Sequence, residues 1–270
     1  MRLPSIMILL LLLIPGSLPA QSIEKPELEQ LVEEANTFFR EAMNTANKDP
    51  QMAKKLYEKA AVYYEKIVTD GNIKNGRLFY NTGNAYFRSG DIGRAILNYL
   101  KARQYIPDDK NLLQNLEYAR SKRQDTVQEK EADMLLQTVF FWHYDIPPVM
   151  RLIIFAVFFV LTWILAILKL FFKQGILNFF LIITVVVTVL FSGSLLVEFF
   201  GKSGEKPGVV LATEVTARKG DSNTYEKSFQ EPLHAGTEFL LLEERRGWYN
   251  IELKDGRSCW IPARDAGLVK

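Results

Sequence analysis

The chain has 270 residues, of which 48% are hydrophobic and 24% charged, and its formal net charge is +2. Neither polar region is basic enough for a nucleic-acid partner, because residues 21–133 carry 18 basic and 18 acidic side chains and residues 198–270 carry 11 and 12. Cys259 is the single cysteine, so an intrachain disulfide and a cysteine metal cluster are both excluded.

Residues 1–20 have the features of a secretory signal peptide. Arg2 supplies a short positive region, an apolar run follows over residues 6–14, and Ala20 is a small residue at the expected cleavage position. The apolar run is too short to cross a bilayer. With cleavage, the chain that follows lies outside the cytoplasm; an uncleaved anchor is the alternative.

The region after the signal predicts an all-α domain over residues 21–125. Apolar side chains recur at helical spacing, and breaks separate the helical segments. Asp49 before Pro50 marks a helix start, and Pro107 ends a helix. We therefore predict five amphipathic helices, at residues 27–46, 51–69, 76–89, 92–105 and from 110 into the 120s.

Residues 126–148 are predicted to be a charged linker that ends in an interfacial segment. Charged side chains are concentrated at its start. Near its end, Trp142, His143 and Tyr144 suit the boundary between membrane and water, where aromatic residues are enriched.

Two long apolar stretches follow, and we predict transmembrane helices at residues 149–172 and 176–198. Arg151 lies near the start of the first stretch, and residues 176–197 contain no charge. Each stretch has about the 20 residues that cross the hydrocarbon core of a bilayer. The alternative is a buried helical pair in a soluble protein, which uncharged runs of this length disfavour.

The connection between the two stretches predicts the topology. Residues 173–175 form the turn, and Lys169 and Lys173 favour a cytoplasmic location because positive charge is enriched on that side. The domains before and after the two spans then both lie on the opposite side of the membrane.

After a polar linker at residues 199–207, the pattern changes to short strands. Turn residues such as Asp255-Gly256 separate alternating apolar segments. Short strands without a helix predict a small all-β barrel over residues 208–270. The predicted strands are residues 209–218, 237–244, 248–253 and 258–262.

Residues 76–109 resemble one tetratricopeptide repeat. The matching positions are Phe79, where tryptophan is usual, and Gly83, Tyr86, Ala95, Tyr99, Ala102 and Pro107. Thr82 departs from the pattern, because a large aliphatic residue is usual there. The preceding pair, residues 27–70, resembles a second, degenerate repeat. The resemblance implies a concave groove that binds extended peptides.

Residues 208–270 resemble bacterial SH3-like domains, through segments that begin at Val209, His234 and Arg264. The order of signal, repeat, two spans and SH3-like domain resembles the BatE-type family of Bacteroides aerotolerance operons. That resemblance implies a scaffold in the bacterial inner membrane with both folded domains in the periplasm. The implied partners are von Willebrand A-domain membrane proteins of the Bat type, a MoxR-type ATPase system and the lipid bilayer.

The candidate binding residues follow from these resemblances. One face of the helix at 76–89 carries side chains that can bind a peptide backbone or a carboxylate, namely Arg77, Tyr80, Asn81, Asn84, Phe87 and Arg88. An ordinary polar helix face is the alternative. Trp248 and Trp260 are interpreted first as core residues and, alternatively, as a platform for peptidoglycan or a proline-rich peptide.

No catalytic, cofactor or metal site is predicted. His143 fits the membrane boundary, His234 precedes a loop, and Cys259 fits a strand, so the sequence does not bring the three together. We therefore predict a non-catalytic scaffold that binds partner proteins. The alternative is a cell-envelope sensor that binds its ligand through the SH3-like domain.

Three glycines lie close together within residues 83–93, as they would in a phosphate site. The spacing of Gly83, Gly90 and Gly93 fits neither a P-loop nor a dinucleotide fingerprint. Gly83 instead fits a close approach of two helices, and Gly90 fits a helix end. Gly93 has no role that the sequence assigns.

Overall fold

The computed structural model describes residues 25–127, 131–172, 174–201 and 206–269, so the predicted signal peptide lies outside the described residues. The chain is mostly helical, with two long apolar helices and a small antiparallel sheet after them. The described helices are α1 (Lys25–Thr45), α2 (Pro50–Asp70), α3 (Gly76–Ser89), α4 (Ile92–Tyr105), α5 (Lys110–Ser121), α6 (Glu131–Val139), α7 (Phe141–Tyr144), α8 (Pro148–Phe171) and α9 (Gly175–Gly201).

Local sequence signals set the starts of helices α2 to α5. Asp49 accepts a hydrogen bond from the backbone N–H of Met52 (2.9 Å) and so caps α2, in which Pro50 is the first residue. The starts of α3, α4 and α5 are capped in the same way by Asn75, Asp91 and Asp109. The five helices predicted in this region are therefore confirmed.

Helices α3 and α4 approach each other closely at Gly83. A Cβ atom on this residue would lie 2.6 Å from the ring of Tyr99, so a larger side chain would not fit. Gly90 ends α3 with a left-handed backbone, at φ 91°. Thr82 is fully buried, and its hydroxyl donates to the carbonyl oxygen of Leu78 (2.8 Å). The roles predicted for the two glycines are confirmed.

The same tyrosine–asparagine hydrogen bond joins both helical hairpins. The Tyr64 hydroxyl of α2 donates to Asn36 of α1 (2.7 Å), and the Tyr99 hydroxyl of α4 donates to Asn84 of α3 (2.9 Å). Burial raises the pKa of both tyrosines, so both hydroxyls keep the proton that they donate. The first hairpin thus repeats a contact of the second, although its sequence is too irregular to align.

The segment between α5 and α8 contains helical structure where the sequence predicted a linker. Helices α6 and α7 occupy most of the segment, and α6 begins among the charged residues, at Glu131. Apolar residues continue through both helices, and most of the side chains described there are exposed. The linker prediction missed them because the charges at the start of the segment dominated its composition.

Helices α8 and α9 form an antiparallel pair of the length that crosses a membrane. Their 24 and 27 residues correspond to about 36 and 40 Å, against a hydrocarbon core of about 30 Å. Most of their apolar side chains are exposed on the protein surface. The alternative of a buried helical pair in a soluble core is therefore wrong.

The C-terminal region consists of short antiparallel strands. The described strands are β1 (Pro207–Val210), β2 (Glu214–Val215), β3 (Leu233–His234), β4 (Glu238–Arg245), β5 (Trp248–Leu253), β6 (Ser258–Pro262) and β7 (Ala266–Leu268). Five strands form one sheet in the order β6-β5-β4-β1-β7, and β2 pairs with β3. A single 3₁₀ turn (Ala263–Asp265) precedes β7.

The single strand predicted at residues 209–218 is wrong. The backbone N–H groups of Leu211 and Ala212 both donate to the carbonyl oxygen of Asp265, at 2.8 and 3.2 Å. These bonds turn the chain away from the ladder after Val210, so the segment forms the separate strands β1 and β2.

The sheet packs directly against the helical domain at α4. A Cβ atom on Gly93 would lie 2.8 Å from the carbonyl oxygen of Val210 and 3.1 Å from the Cα atom of Leu211. Val209 and Val269, at the two ends of the β region, are buried in the same apolar cluster as the helices. Gly93 therefore has a packing role: its missing side chain lets α4 reach the backbone that follows β1.

Candidate protein-binding surfaces

The predicted groove residues of α3 differ in their exposure. Tyr80, Asn84 and Phe87 are half-buried, while the exposed members are Arg77, Asn81 and Arg88. Among the described residues, neither Arg77 nor Arg88 has an ion-pair partner. The face thus combines accessible hydrogen-bond donors with a partly buried floor.

The floor of this face is fixed by a hydrogen-bond network. The side-chain amide of Asn115, on α5, donates to the Tyr80 hydroxyl (3.0 Å) and to the side-chain Oδ1 atom of Asn84 (2.9 Å). Asn84 also accepts the hydrogen bond from Tyr99. Because these bonds are internal, Asn84 is an organising residue of the floor, and Asn81 is the asparagine that faces solvent.

Aromatic contacts extend the face at the C-terminal end of α3. The ring of Phe87 packs 5.4 Å from the ring of Tyr118 on α5, and the Lys122 ammonium lies 5.0 Å from the centre of that tyrosine ring. The Arg88 guanidinium lies 5.7 Å from the centre of the Tyr57 ring. Lys122 therefore lies beside an exposed aromatic ring, and Arg88 lies over a buried one.

The sequence did not identify the contribution of α5 to this face. Asn115 and Tyr118 are three residues apart and therefore point to the same side of a helix. The sequence assigned α5 by its buried leucines, and the polar side of the helix gave no further signal. We refer to Arg77, Tyr80, Asn81, Phe87, Arg88 and Tyr118 as the groove face.

Trp248 and Trp260 lie on the outer side of the sheet. Ile251, Cys259 and Ile261 point into the buried core of the β region, and the alternation of side chains along β5 and β6 places both tryptophans on the other side. Both tryptophan side chains are half-buried, and neither belongs to the core cluster. The interpretation of them as core residues is therefore wrong.

The two tryptophans lie in a small mixed surface. Asn250 is the direct neighbour of Trp260 across the ladder, and Trp248 is the neighbour of Pro262. The Arg245 guanidinium lies 5.3 Å from the centre of the Trp260 ring. This surface presents aromatic faces, an amide and a cation, which suits a polar ligand with apolar patches.

A buried polar cluster joins the end of the helical domain to the sheet. Asp125 accepts hydrogen bonds from the His234 backbone N–H (2.7 Å) and the Thr237 hydroxyl (2.6 Å), and its other oxygen lies 2.6 Å from the His234 Nδ1 atom. Burial acts to raise the pKa of Asp125, but the bonds from Thr237 and His234 outweigh it, so the pKa lies below its usual value.

A second acid in the same region is held by two arginines. Arg120 donates to both carboxylate oxygens of Glu238, at 2.8 and 2.6 Å, and Arg123 donates to one of them at 3.1 Å. Burial of Glu238 acts to raise its pKa, and the bonds from Arg120 lower it further than burial raises it. We call Arg120, Arg123, Asp125, His234, Thr237 and Glu238 the junction cluster.

Another polar cluster lies where α7 meets the open end of the α8–α9 pair, which is the end farther from the connection between the two helices. Arg151 is only 2% exposed, and its Nη1 group donates to His143 Nδ1 and to the Ser194 hydroxyl, each at 2.8 Å. Its Nη2 group donates to Glu198 at 2.8 Å. The Arg151 Nε group is buried without a hydrogen-bond partner. We call these four residues the hairpin cluster.

The groups that could carry chemistry lie apart. Cys259 is buried in the sheet, and burial raises its pKa to about 12, which keeps the thiol protonated and unreactive at neutral pH. His143 and His234 belong to different clusters. Across the described ranges, no group of three or more His, Cys, Asp or Glu side chains is arranged to hold a metal ion.

In comparisons with models of known protein families, with curated proteins and with solved structures, nothing matched the chain.

Proposed function

We propose that the chain is a non-catalytic scaffold of a bacterial inner membrane that binds partner proteins along the groove face. The observation that carries this proposal is the arrangement on α3. Arg77, Asn81 and Arg88 are accessible, and neither arginine has an acidic partner among the described residues. They stand over a floor that Asn84 and Asn115 hold in place.

The spacing on α3 defines the kind of partner. Arg77 and Arg88 are eleven residues apart, which is about 16 Å along a helix. An extended peptide covers that distance with about five residues. Asn81, between them, can bond a backbone amide, and each arginine can bond a carboxylate. The proposed partner is therefore an extended segment with acidic side chains near both ends.

Features of both folded regions support the domain types proposed here. The close approach at Gly83, the cap at Gly90 and the repeated tyrosine–asparagine bond support a tetratricopeptide-like helical domain. The five-stranded order with a 3₁₀ turn before its last strand supports an SH3-like domain. A fold does not by itself determine a function. The two domain types therefore describe shape, and the groove face carries the proposed function.

The proposed location is a two-pass arrangement with both folded domains in the periplasm. Support comes from the antiparallel α8–α9 pair, whose outer ends lie on one side. Cysteines placed at Val62 and Leu242, both exposed, should react with a membrane-impermeant thiol reagent once the outer membrane is opened. The natural Cys259 adds no background because it is buried. Labelling only after the inner membrane is opened would contradict the topology.

The proposed setting is a Bat-type envelope complex with von Willebrand A-domain membrane proteins and a MoxR-type ATPase system. It rests on the order of domains and on no contact in the structure. Crosslinking in native membranes, followed by identification of the captured proteins, tests it directly. Recovery of unrelated proteins alone would remove this setting and leave the groove face as the proposed binding site.

The groove face is tested by reversing its charge. The pair Arg77→Glu and Arg88→Glu should reduce partner recovery by at least about tenfold, because each lost charge-assisted bond contributes about 1.5–3 kcal/mol. Arg103→Glu, on the exposed side of α4, is the matched control and should leave recovery unchanged. Equal recovery with the double variant and the control would exclude the groove face.

A second candidate function is an envelope sensor, and the outer surface of the sheet favours it. Trp248 and Trp260 expose aromatic faces beside Arg245, as carbohydrate and proline-rich ligands require. The detergent-solubilised chain should then bind purified peptidoglycan sacculi. Binding should disappear in Trp248→Ala plus Trp260→Ala and persist in Tyr105→Ala, an exposed aromatic control on α4. Absence of binding by the natural chain would exclude peptidoglycan as the ligand.

A further inference from the structure

The segment formed by α6 and α7 exposes a continuous set of large apolar side chains. Leu135 is 67% exposed and Val139 is 60% exposed. The exposed apolar side chains that continue the set are Leu136, Phe140, Phe141 and Tyr144. A contiguous apolar surface of this kind indicates that something apolar covers it. We call residues 135–144 the collar segment.

The hairpin cluster fixes the level of the collar segment along the hairpin axis. His143 of α7 lies 2.9 Å from the Ser194 hydroxyl of α9 and 2.8 Å from the Arg151 guanidinium of α8. Arg151 is the fourth residue of α8, and Ser194 lies two turns before the end of α9. The collar segment is therefore attached within about two helical turns of the open end of the hairpin.

The environment at that level is the boundary between lipid and water. Exposed apolar side chains resume at Val149 and Met150 in the first turn of α8, so the collar segment leads into the apolar surface of that helix. Four of the ten residues of the collar segment are the aromatic residues Phe140, Phe141, Trp142 and Tyr144, and aromatic side chains concentrate at this boundary. A protein partner would not require that continuity with a membrane helix.

We propose that the collar segment lies in the headgroup region of the periplasmic leaflet, with its apolar side chains directed into the bilayer. The expected depth is about 5–10 Å below the headgroup surface, as for other interfacial helices. The hairpin cluster anchors it through His143. The inference depends on the proposed membrane crossing of α8 and α9, and it adds a second membrane contact that holds the helical domain close to the bilayer.

Depth measurements on spin labels test the proposal in the full chain. Single cysteines at Leu135 and Val139 are labelled, and the protein is reconstituted into vesicles of phosphatidylethanolamine and phosphatidylglycerol. Cys259 remains unlabelled because its thiol is buried. Each label's collision rate with oxygen, which favours lipid, is compared with its collision rate with a nickel chelate in water.

Two equally exposed valines provide the reference values. Val160, 55% exposed near the middle of α8, should report hydrocarbon, and Val62, 57% exposed on α2, should report water. The labels at Leu135 and Val139 should fall between the two. Water values at both positions, with a hydrocarbon value at Val160, would overturn the collar while leaving the membrane crossing intact. A water value at Val160 would overturn the membrane crossing itself.

The anchor is tested separately by replacing the histidine. His143→Ala removes the acceptor for Arg151 and should increase the mobility of the label at Val139. His143→Asn retains an acceptor oxygen near the Nδ1 position and should restore the original spectrum. His234→Ala, which alters the junction cluster, should leave this label unchanged. An unchanged spectrum in His143→Ala would exclude the anchoring role.

Discussion

The junction cluster and the hairpin cluster both use arginine, histidine and carboxylate, but they balance charge in opposite ways. In the junction cluster, two carboxylates are surrounded by donors, and each has more than one partner. In the hairpin cluster, a single buried guanidinium donates to each of the other three residues, and its Nε group has no partner. One cluster is centred on anions and the other on a cation.

This difference indicates how strongly each cluster should respond to the loss of one hydrogen-bond donor. Removing one donor from the junction cluster leaves the carboxylates with other partners. Removing Arg151 takes away the common donor of His143, Ser194 and Glu198 at once. Arg151 is only 2% exposed, so the groups that it leaves behind would have few alternative partners. The hairpin cluster should therefore respond more strongly to a single substitution.

The largest effect is expected at Arg151. Arg151→Met removes a buried charge partner, and breaking a buried ion pair costs about 3–5 kcal/mol. Adding Glu198→Gln should recover most of that loss, because the second charge is then also removed. Denaturant unfolding of the purified protein in detergent, followed by tryptophan fluorescence, measures both variants. Equal instability of the single and double variants would contradict a cluster centred on this cation.

A smaller effect is expected at Asp125. Asp125→Asn leaves buried donors with poorer acceptors, at a cost of about 1–3 kcal/mol in the free energy of unfolding. Asp255→Asn is the matched control, because this acid pairs with Arg257 at the surface, where an ion pair contributes about 0–1 kcal/mol. Thermal unfolding monitored by circular dichroism measures both. Comparable losses in the two variants would contradict the special role of the junction cluster.

Acid should weaken the junction cluster before the rest of the helical domain. The pKa values of Asp125 and Glu238 are lowered in the folded state, so their contribution is complete above their unfolded values of about 4 and is lost as pH falls through the folded values. Protease cleavage between the helical domain and the sheet should therefore increase below about pH 4. Asp125→Asn should reduce this pH dependence. An unchanged pH profile of cleavage would exclude Asp125 as its cause.

The smallest effect separates two helical glycines. Gly93→Ala should gain up to about 1 kcal/mol of helix propensity but lose about 1–3 kcal/mol through its clash with the backbone after β1, for a small net destabilisation. Gly193→Ala, on α9, has no atom within 4 Å of the new Cβ and should be neutral or stabilising. Thermal unfolding compares them. A stabilised Gly93→Ala would show that the sheet does not press on α4.

The sequence predicted features that depend on residues close together in the chain better than features that depend on packing between distant segments. Helix ends depend on neighbours within four residues, so the sequence predicted the roles of Asp49 and Gly90 directly. The side of the sheet on which Trp248 and Trp260 lie depends on which face packs inward. The alternation of residues along a strand shows which side chains share a face, but it does not show which face is buried. The interpretation of the tryptophans as core residues therefore placed them on the wrong face.

The groove face shows the same limit. The sequence predicted six binding residues on α3, Asn84 included, because they share one helix and a fixed period. Tyr118 and Asn115 complete the face from α5, and their position depends on how two helices pack. Asn84 was predicted as a binding residue, while its bonds to Tyr99 and Asn115 place it in the floor.

By itself, the sequence determined the helical region, the two apolar helices and the strand-rich end, because hydrophobic period, helix caps and chain length are local properties. Only the tertiary structure decided that the sheet rests on α4 at Gly93, that Asp125 meets His234, and that His143 meets Arg151. Those contacts join groups that are far apart along the chain or on different helices. Their energies depend on burial and alignment, which exist only once the chain has folded.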